Sequence, residues 1–159
     1  MLQGSEEIIT KEVSQWGTKL GKIVSIIQEI IENNTNPKIL VYSQWEDSLS
    51  LLHNILSSIK ISACVMTRVN NYESVTTFKK DPSIHVLLLL LQQGNNGLDM
   101  SMANHIIIME PILSASRRGV EVWFIAMEAQ AVSRVQRIGQ YLPSSVHYVI
   151  VENTIESKM

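Results

Sequence analysis

Apolar residues recur at helical spacing from Gly17 onward. Leu20, Ile23, Val24, Ile27, Ile30 and Ile31 fall on one face of a 3.6-residue repeat and predict an amphipathic helix. The run 33–37, Asn-Asn-Thr-Asn-Pro, ends it, because proline drives the residue before it out of the helical region. Lys38 to Tyr42 is a compact apolar run that predicts a buried strand. A polar turn, Ser43-Gln44-Trp45, leads back into helical spacing from Glu46 to Ile59 through Leu49, Leu52, His53 and Leu56. Glu46 and Asp47 stand in its first turn, where the helix dipole favours negative charge.

The alternation continues. Ile61 to Met66 predicts a second strand, and Thr67 to Lys80 a segment whose helix ends at Phe78. Asp81-Pro82 turns the chain into Ile84 to Leu91, apolar without alternation, as expected of a parallel strand covered on both faces. His105 to Met109 and Val146 to Val151 complete the strands, and the first sixteen residues are polar and read as a lead-in. Strands alternating with helices predict an α/β fold with a parallel sheet. The polar loops follow strands at their carboxyl ends, the edge where open α/β sheets bind ligands. They are Ser43 to Trp45, Gln92 to Gly97, and Glu110-Pro111.

Composition narrows the class. With 159 residues, 45% hydrophobic and 18% charged, the chain reads as one globular domain. A net charge of −2 gives no global attraction to nucleic acid, so any such contact must be local. The apolar run Val86 to Leu91 is too short to span a bilayer. The first twenty residues lack the apolar core of a signal peptide. One cysteine, Cys64, excludes a disulfide framework and a cysteine-based zinc cluster. The expectation is a soluble intracellular domain without membrane contact, with Cys64 a small buried hydrophobe. Four histidines at scattered spacing, His53, His85, His105 and His147, predict no metal set. Trp45 is expected to pack against the sheet edge; stacking on a base is the other reading.

Chemistry concentrates between Gln130 and Gln140, which read QAVSRVQRIGQ. Arg134 and Arg137 share one helical face. Two guanidiniums side by side suit a polyphosphate, whose oxygens match their planar forks. An arginine delivered to a transferring phosphoryl group can dominate the rate. No G-K-[ST] phosphate loop occurs anywhere, and Gly94-Asn95-Asn96-Gly97 is not a nucleotide fingerprint. The chain can supply arginines to a nucleotide but lacks the cradle to bind one alone.

The string QAVSRVQRIGQ resembles motif VI of SNF2-type helicase ATPases, Q-A-x-x-R-x-H-R-x-G-Q. The stretch Lys38 to Asp47 is similar to motif IV of that family. Leu88 to Met100, with Gly97-Leu98-Asp99-Met100, is similar to motif V. The nearest likeness is to members that combine the motor with linker-histone, PHD and RING elements and act as E3 ubiquitin ligases. The resemblance implies a RecA-like second lobe over 17–159, whose first lobe, absent from this chain, holds ATP and Mg²⁺. It implies that Arg134 and Arg137 approach the γ-phosphate, with Arg137 as the finger, that Gln130 binds at the nucleotide and links it to the DNA-contacting loops, and that Gly97 and Asp99 approach the nucleotide cleft or the DNA backbone. Ser43, Gln44 and Gln93 would follow duplex DNA or the nucleosomal backbone through phosphates. The implied partners are the first lobe, DNA, and the ubiquitin machinery of the parent protein, in the nucleus, in DNA repair and chromatin. The RING activity cannot reside here, since zinc-ligand cysteines are missing.

Two features depart from the family pattern. Gln136 stands where motif VI has histidine, and residues 114–127, with Arg117-Arg118 and Trp123-Phe124, read as an insertion ahead of motif VI. A displaced helix would carry the arginines off the phosphate, and about 1 Å of misplacement can cost roughly 10²-fold. A non-catalytic regulatory lobe and an RNA-helicase lobe therefore stand as alternatives to the DNA motor.

Overall fold

A computed structural model describes residues 17–67, 69, 71–91, 100–110 and 145–149. The expected lead-in over 1–16, residues 92–99 and the expected insertion over 114–127 lie outside these residues. The elements are α1 (Thr18–Asn33), β1 (Ile39–Ser43), α2 (Glu46–Ser58), β2 (Ala63–Val65), α3 (Asn71–Lys80), β3 (Val86–Leu90), β4 (His105–Ile108) and β5 (Ser145–Tyr148). The strands form one five-stranded sheet in the order β2-β3-β1-β4-β5, and every pairing is parallel.

Strand alternation sorts the core into two layers, since successive side chains point to opposite faces. Ile39 and Val41 of β1, Val86 and Leu88 of β3, and Ile107 of β4 pack with Ile23, Val24 and Ile27 of α1 and Leu49, Leu52 and Leu56 of α2. Leu40, Tyr42, Leu87, Leu89, Ile106 and Ile108 pack on the other face with Val75 and Phe78 of α3. Both faces being covered explains why β1 and β3 read as continuous apolar runs in the sequence.

The ends of several elements differ from the sequence expectation. Helix α3 runs to Lys80 rather than stopping at Phe78; Lys79 and Lys80 occupy its last turn, where cations complement the helix dipole. Strand β2 is shorter than Ile61 to Met66, because as an edge strand it pairs with β3 alone, Ala63 opposite Val86 to Val65 opposite Leu88. That edge position leaves Cys64 half-buried rather than enclosed, and burial still pushes its thiol above the ordinary range. Strand β5 begins one residue earlier than expected, at Ser145.

Lys38 precedes β1 instead of belonging to it, and its burial is unusual for a lysine. It is 7% exposed. Its ammonium donates to the carbonyls of Phe78 (2.7 Å), Asp81 (2.7 Å) and Ile84 (2.6 Å) and lies 4.8 Å from the centre of the Phe78 ring. Burial pulls its pKa below the usual lysine value, with Asp81 opposing. Three carbonyls satisfying three ammonium protons join the start of β1 to the end of α3 and the turn before β3.

The same end of the sheet gathers two of the scattered histidines. His105 opens β4, and His147 lies in β5 on the same face, with ring centres 6.2 Å apart and planes inclined by 26°. His105 Nδ1 and His147 Nε2 are buried without a hydrogen-bond partner among the described residues. A cavity of about 240 Å³ beside them is lined by Glu29, Asn33 and Asn34 of the α1 end. Burial first, and then His147, hold the His105 pKa below its ordinary value.

These contacts generate two predictions. Lys38→Met keeps an apolar stem over Phe78 but strips three carbonyls of their donor, and should cost about 3 kcal/mol of stability in urea unfolding; a loss under about 0.5 kcal/mol would show that the bonds carry nothing. His105, with a folded pKa below its unfolded one, stabilises the fold above the ordinary histidine value of 6.5, and that contribution is lost as pH falls through it. The urea midpoint should therefore drop between pH 7.5 and 5.5, and less so in His105→Leu; equal slopes in the two proteins would contradict the assignment.

Candidate functional site

The carboxyl ends of the parallel strands converge on the turn after β1. Tyr42 accepts from the Met109 backbone N–H at 2.9 Å, which holds the exit of β4 against the exit of β1. Ser43, the last residue of β1, is 2% exposed and cannot leave its hydroxyl unpaired at that depth. The hydroxyl accepts from the Trp45 N–H at 3.0 Å and lies 2.7 and 3.0 Å from the two carboxylate oxygens of Glu110. The Gln44 N–H donates to Glu110 Oε2 at 3.1 Å. One carboxylate from the β4 exit thus holds two consecutive donors of the β1 exit.

Beyond that pinned turn, Trp45 forms the N-cap of α2 without a side-chain cap. Its ring is 55% exposed, so it does not seal the sheet edge by packing, as the sequence suggested. Glu46 and Asp47 follow in the first turn. The backbone N–H of Gln44 is committed to Glu110.

Of the residues marked by the sequence, Ser43 and Gln44 come together at this turn. Gln93, Gly97, Asp99, Gln130, Arg134 and Arg137 lie outside the described residues. Leu91 and Glu110, the last described residues before the segments that carry them, follow β3 and β4 at the same edge. Among the described residues no three His, Cys, Asp or Glu side chains group closely enough to hold a metal ion, and no helix is long and apolar enough to cross a membrane.

Sequence reasoning placed Glu110 in the Glu110-Pro111 loop at the ligand-binding edge but gave it no role. Nothing in the chain marks it as the partner of a serine 67 positions earlier.

Comparison with known proteins agrees with this architecture. The family described as "Helicase conserved C-terminal domain" matches residues 21–139. The human E3 ubiquitin-protein ligase SHPRH is 36% identical over 143 residues, which is 89% of this chain and 8% of that protein. The DNA repair protein rad8 of Schizosaccharomyces pombe is 29% identical over 145 residues, 89% of this chain and 12% of that protein. The chain thus spans only a small part of these relatives' length. The crystal structure of the C-terminal part of the Fun30 ATPase domain superposes with a TM-score of 0.72 at 22% identity, covering 87% of this chain and 43% of that one; it shares the fold. With a parallel sheet covered on both faces, ligand-edge loops in this order and a family match over most of its length, the chain belongs to the helicase conserved C-terminal domain family and is similar to the SNF2-type relatives within it.

Proposed function

We propose that the chain is the second RecA-like lobe of an SNF2-type, ATP-driven DNA translocase, and that it supplies Arg134 and Arg137 to ATP bound by a separate first lobe. The observation that carries this reading is the extent of the family match. Residues 21–139 run from α1 through both Gly97–Asp99 and the Gln130–Arg137 string, so fold and motifs form one continuous unit.

The division of labour follows from chemistry. The sequence has no G-K-[ST] phosphate loop, so in this reading the first lobe holds ATP and Mg²⁺. Arg137, with Arg134 three residues before it in the sequence, brings positive charge to the γ-phosphate as charge builds in the transition state. Gln130 links the nucleotide to the DNA-contacting loops, and Gly97 and Asp99 approach the nucleotide cleft or the DNA backbone. Gln93 with the Ser43–Gln44 turn follows the DNA backbone through phosphates. Opening and closing of the two lobes would step the motor along duplex DNA. Nuclear location, a role in DNA repair and a link to ubiquitin transfer are carried over from relatives such as SHPRH and rad8 and belong to a whole protein of that kind.

A regulatory, non-catalytic lobe is the second reading, in which residues 114–127 act as an insertion that carries the arginine string off the phosphate. One experiment separates the two. In a two-lobed motor carrying this lobe, Arg137→Ala should lower DNA-stimulated ATP turnover by about 10³-fold and leave DNA binding near wild type. Turnover that survives the substitution contradicts the arginine assignment. A motor that binds DNA but shows no stimulated turnover even before substitution supports the regulatory lobe.

A further inference from the structure

Glu110 makes the most concentrated set of polar contacts at the ligand edge, and no role has been assigned to it. Its two oxygens lie 2.7 and 3.0 Å from the Ser43 hydroxyl, and Oε2 accepts from the Gln44 N–H at 3.1 Å. Ser43 in turn accepts from the Trp45 N–H at 3.0 Å. A buried serine and a carboxylate therefore fix the backbone of three successive residues, Ser43, Gln44 and Trp45, at the point where the chain leaves the sheet. Ser43 is 2% exposed, so its hydroxyl is turned inward, whereas Trp45 is 55% exposed. What the turn offers outward is the Gln44–Trp45 tip; what holds it lies beneath.

We infer that Glu110 and Ser43 act as a pair of positioning residues, holding the Gln44–Trp45 tip in the conformation that meets the backbone of duplex DNA. The inference rests on the DNA-motor reading and changes what Ser43 does within it: the serine acts through the tip. Hydrogen bonds to a carboxylate are stronger and shorter than neutral ones, which suits a clamp between two loop exits. A negative group near a DNA path also repels phosphate, so a clamp and an electrostatic gate make opposite predictions for removal of the charge.

The test is duplex-DNA affinity of the 159-residue chain, by fluorescence anisotropy at fixed low salt. Ser43→Ala and Glu110→Ala should each weaken binding about tenfold, the scale of a lost bond to a charged group. The double variant should be no weaker than either single one, because both break the same clamp. Glu110→Gln keeps an acceptor oxygen and should return binding to within about threefold of wild type. The slope of log affinity against log salt should stay unchanged, since no phosphate-contacting charge is removed. Tighter binding by both Glu110→Ala and Glu110→Gln would replace the clamp with a gate, and additive losses would uncouple the two residues; either result overturns the inference. If Glu110→Ala does not fold, Ser43→Ala and Glu110→Gln decide the matter: a loss of about tenfold in the first with near-wild-type binding in the second keeps the clamp, and tighter binding by Glu110→Gln or unchanged binding by Ser43→Ala overturns it. Gln44→Ala separates this inference from the reading beneath it. Weaker binding by Gln44→Ala with unaffected Glu110 variants removes the clamp alone, while unchanged binding by all of them takes the turn off the DNA path.

Discussion

Complete burial of β1 is the constraint on which the rest of the fold depends. All five residues of the strand are buried, with β3 on one side and β4 on the other and helices over both faces. A strand so enclosed must satisfy every polar group at its ends within the protein. At the amino end Lys38 answers with an ammonium that meets three carbonyls. At the carboxyl end Ser43 answers with a hydroxyl shared between Trp45 and Glu110. Both solutions tie β1 to elements distant in sequence, so the apolar interior and the polar rims are fixed by one requirement.

The two ends have different consequences. The amino end is a place of stability, with a buried lysine, a stacked histidine pair and a closed turn before β3. The carboxyl end is where the loops of a parallel sheet become available to ligands. There the described residues bring an aromatic residue, a backbone amide and a carboxylate together.

Much of this was legible in the sequence, for identifiable reasons. The heptad-like spacing from Leu20 to Ile31 foretold α1 because that helix buries a single face, and the unbroken run ending at Leu91 foretold β3 because that strand buries two. Element ends were less legible. The limits of β2 depend on where Ala63 meets Val86, and α3 continues past Phe78 because nothing stops it before Asp81-Pro82. The contacts of Glu110, and the meeting of His105 with His147, arise from pairing between distant strands, which no local pattern encodes. Trp45 illustrates a different limit: an aromatic residue after a strand reads as packing, yet the helix that begins beside it leaves the ring largely in solvent. The motif strings gave the family from local residue order alone, which is why they could be read without the sheet.

In the proposed role this lobe completes an ATPase that it does not form alone. The most direct measurement is ATP hydrolysis, with and without duplex DNA, by the chain alone and mixed with a separately expressed phosphate-loop lobe of an SNF2-type ATPase. The account predicts no turnover by either piece and DNA-stimulated turnover by the mixture. Hydrolysis by the chain alone, or a mixture that assembles on DNA and remains inert, would contradict it.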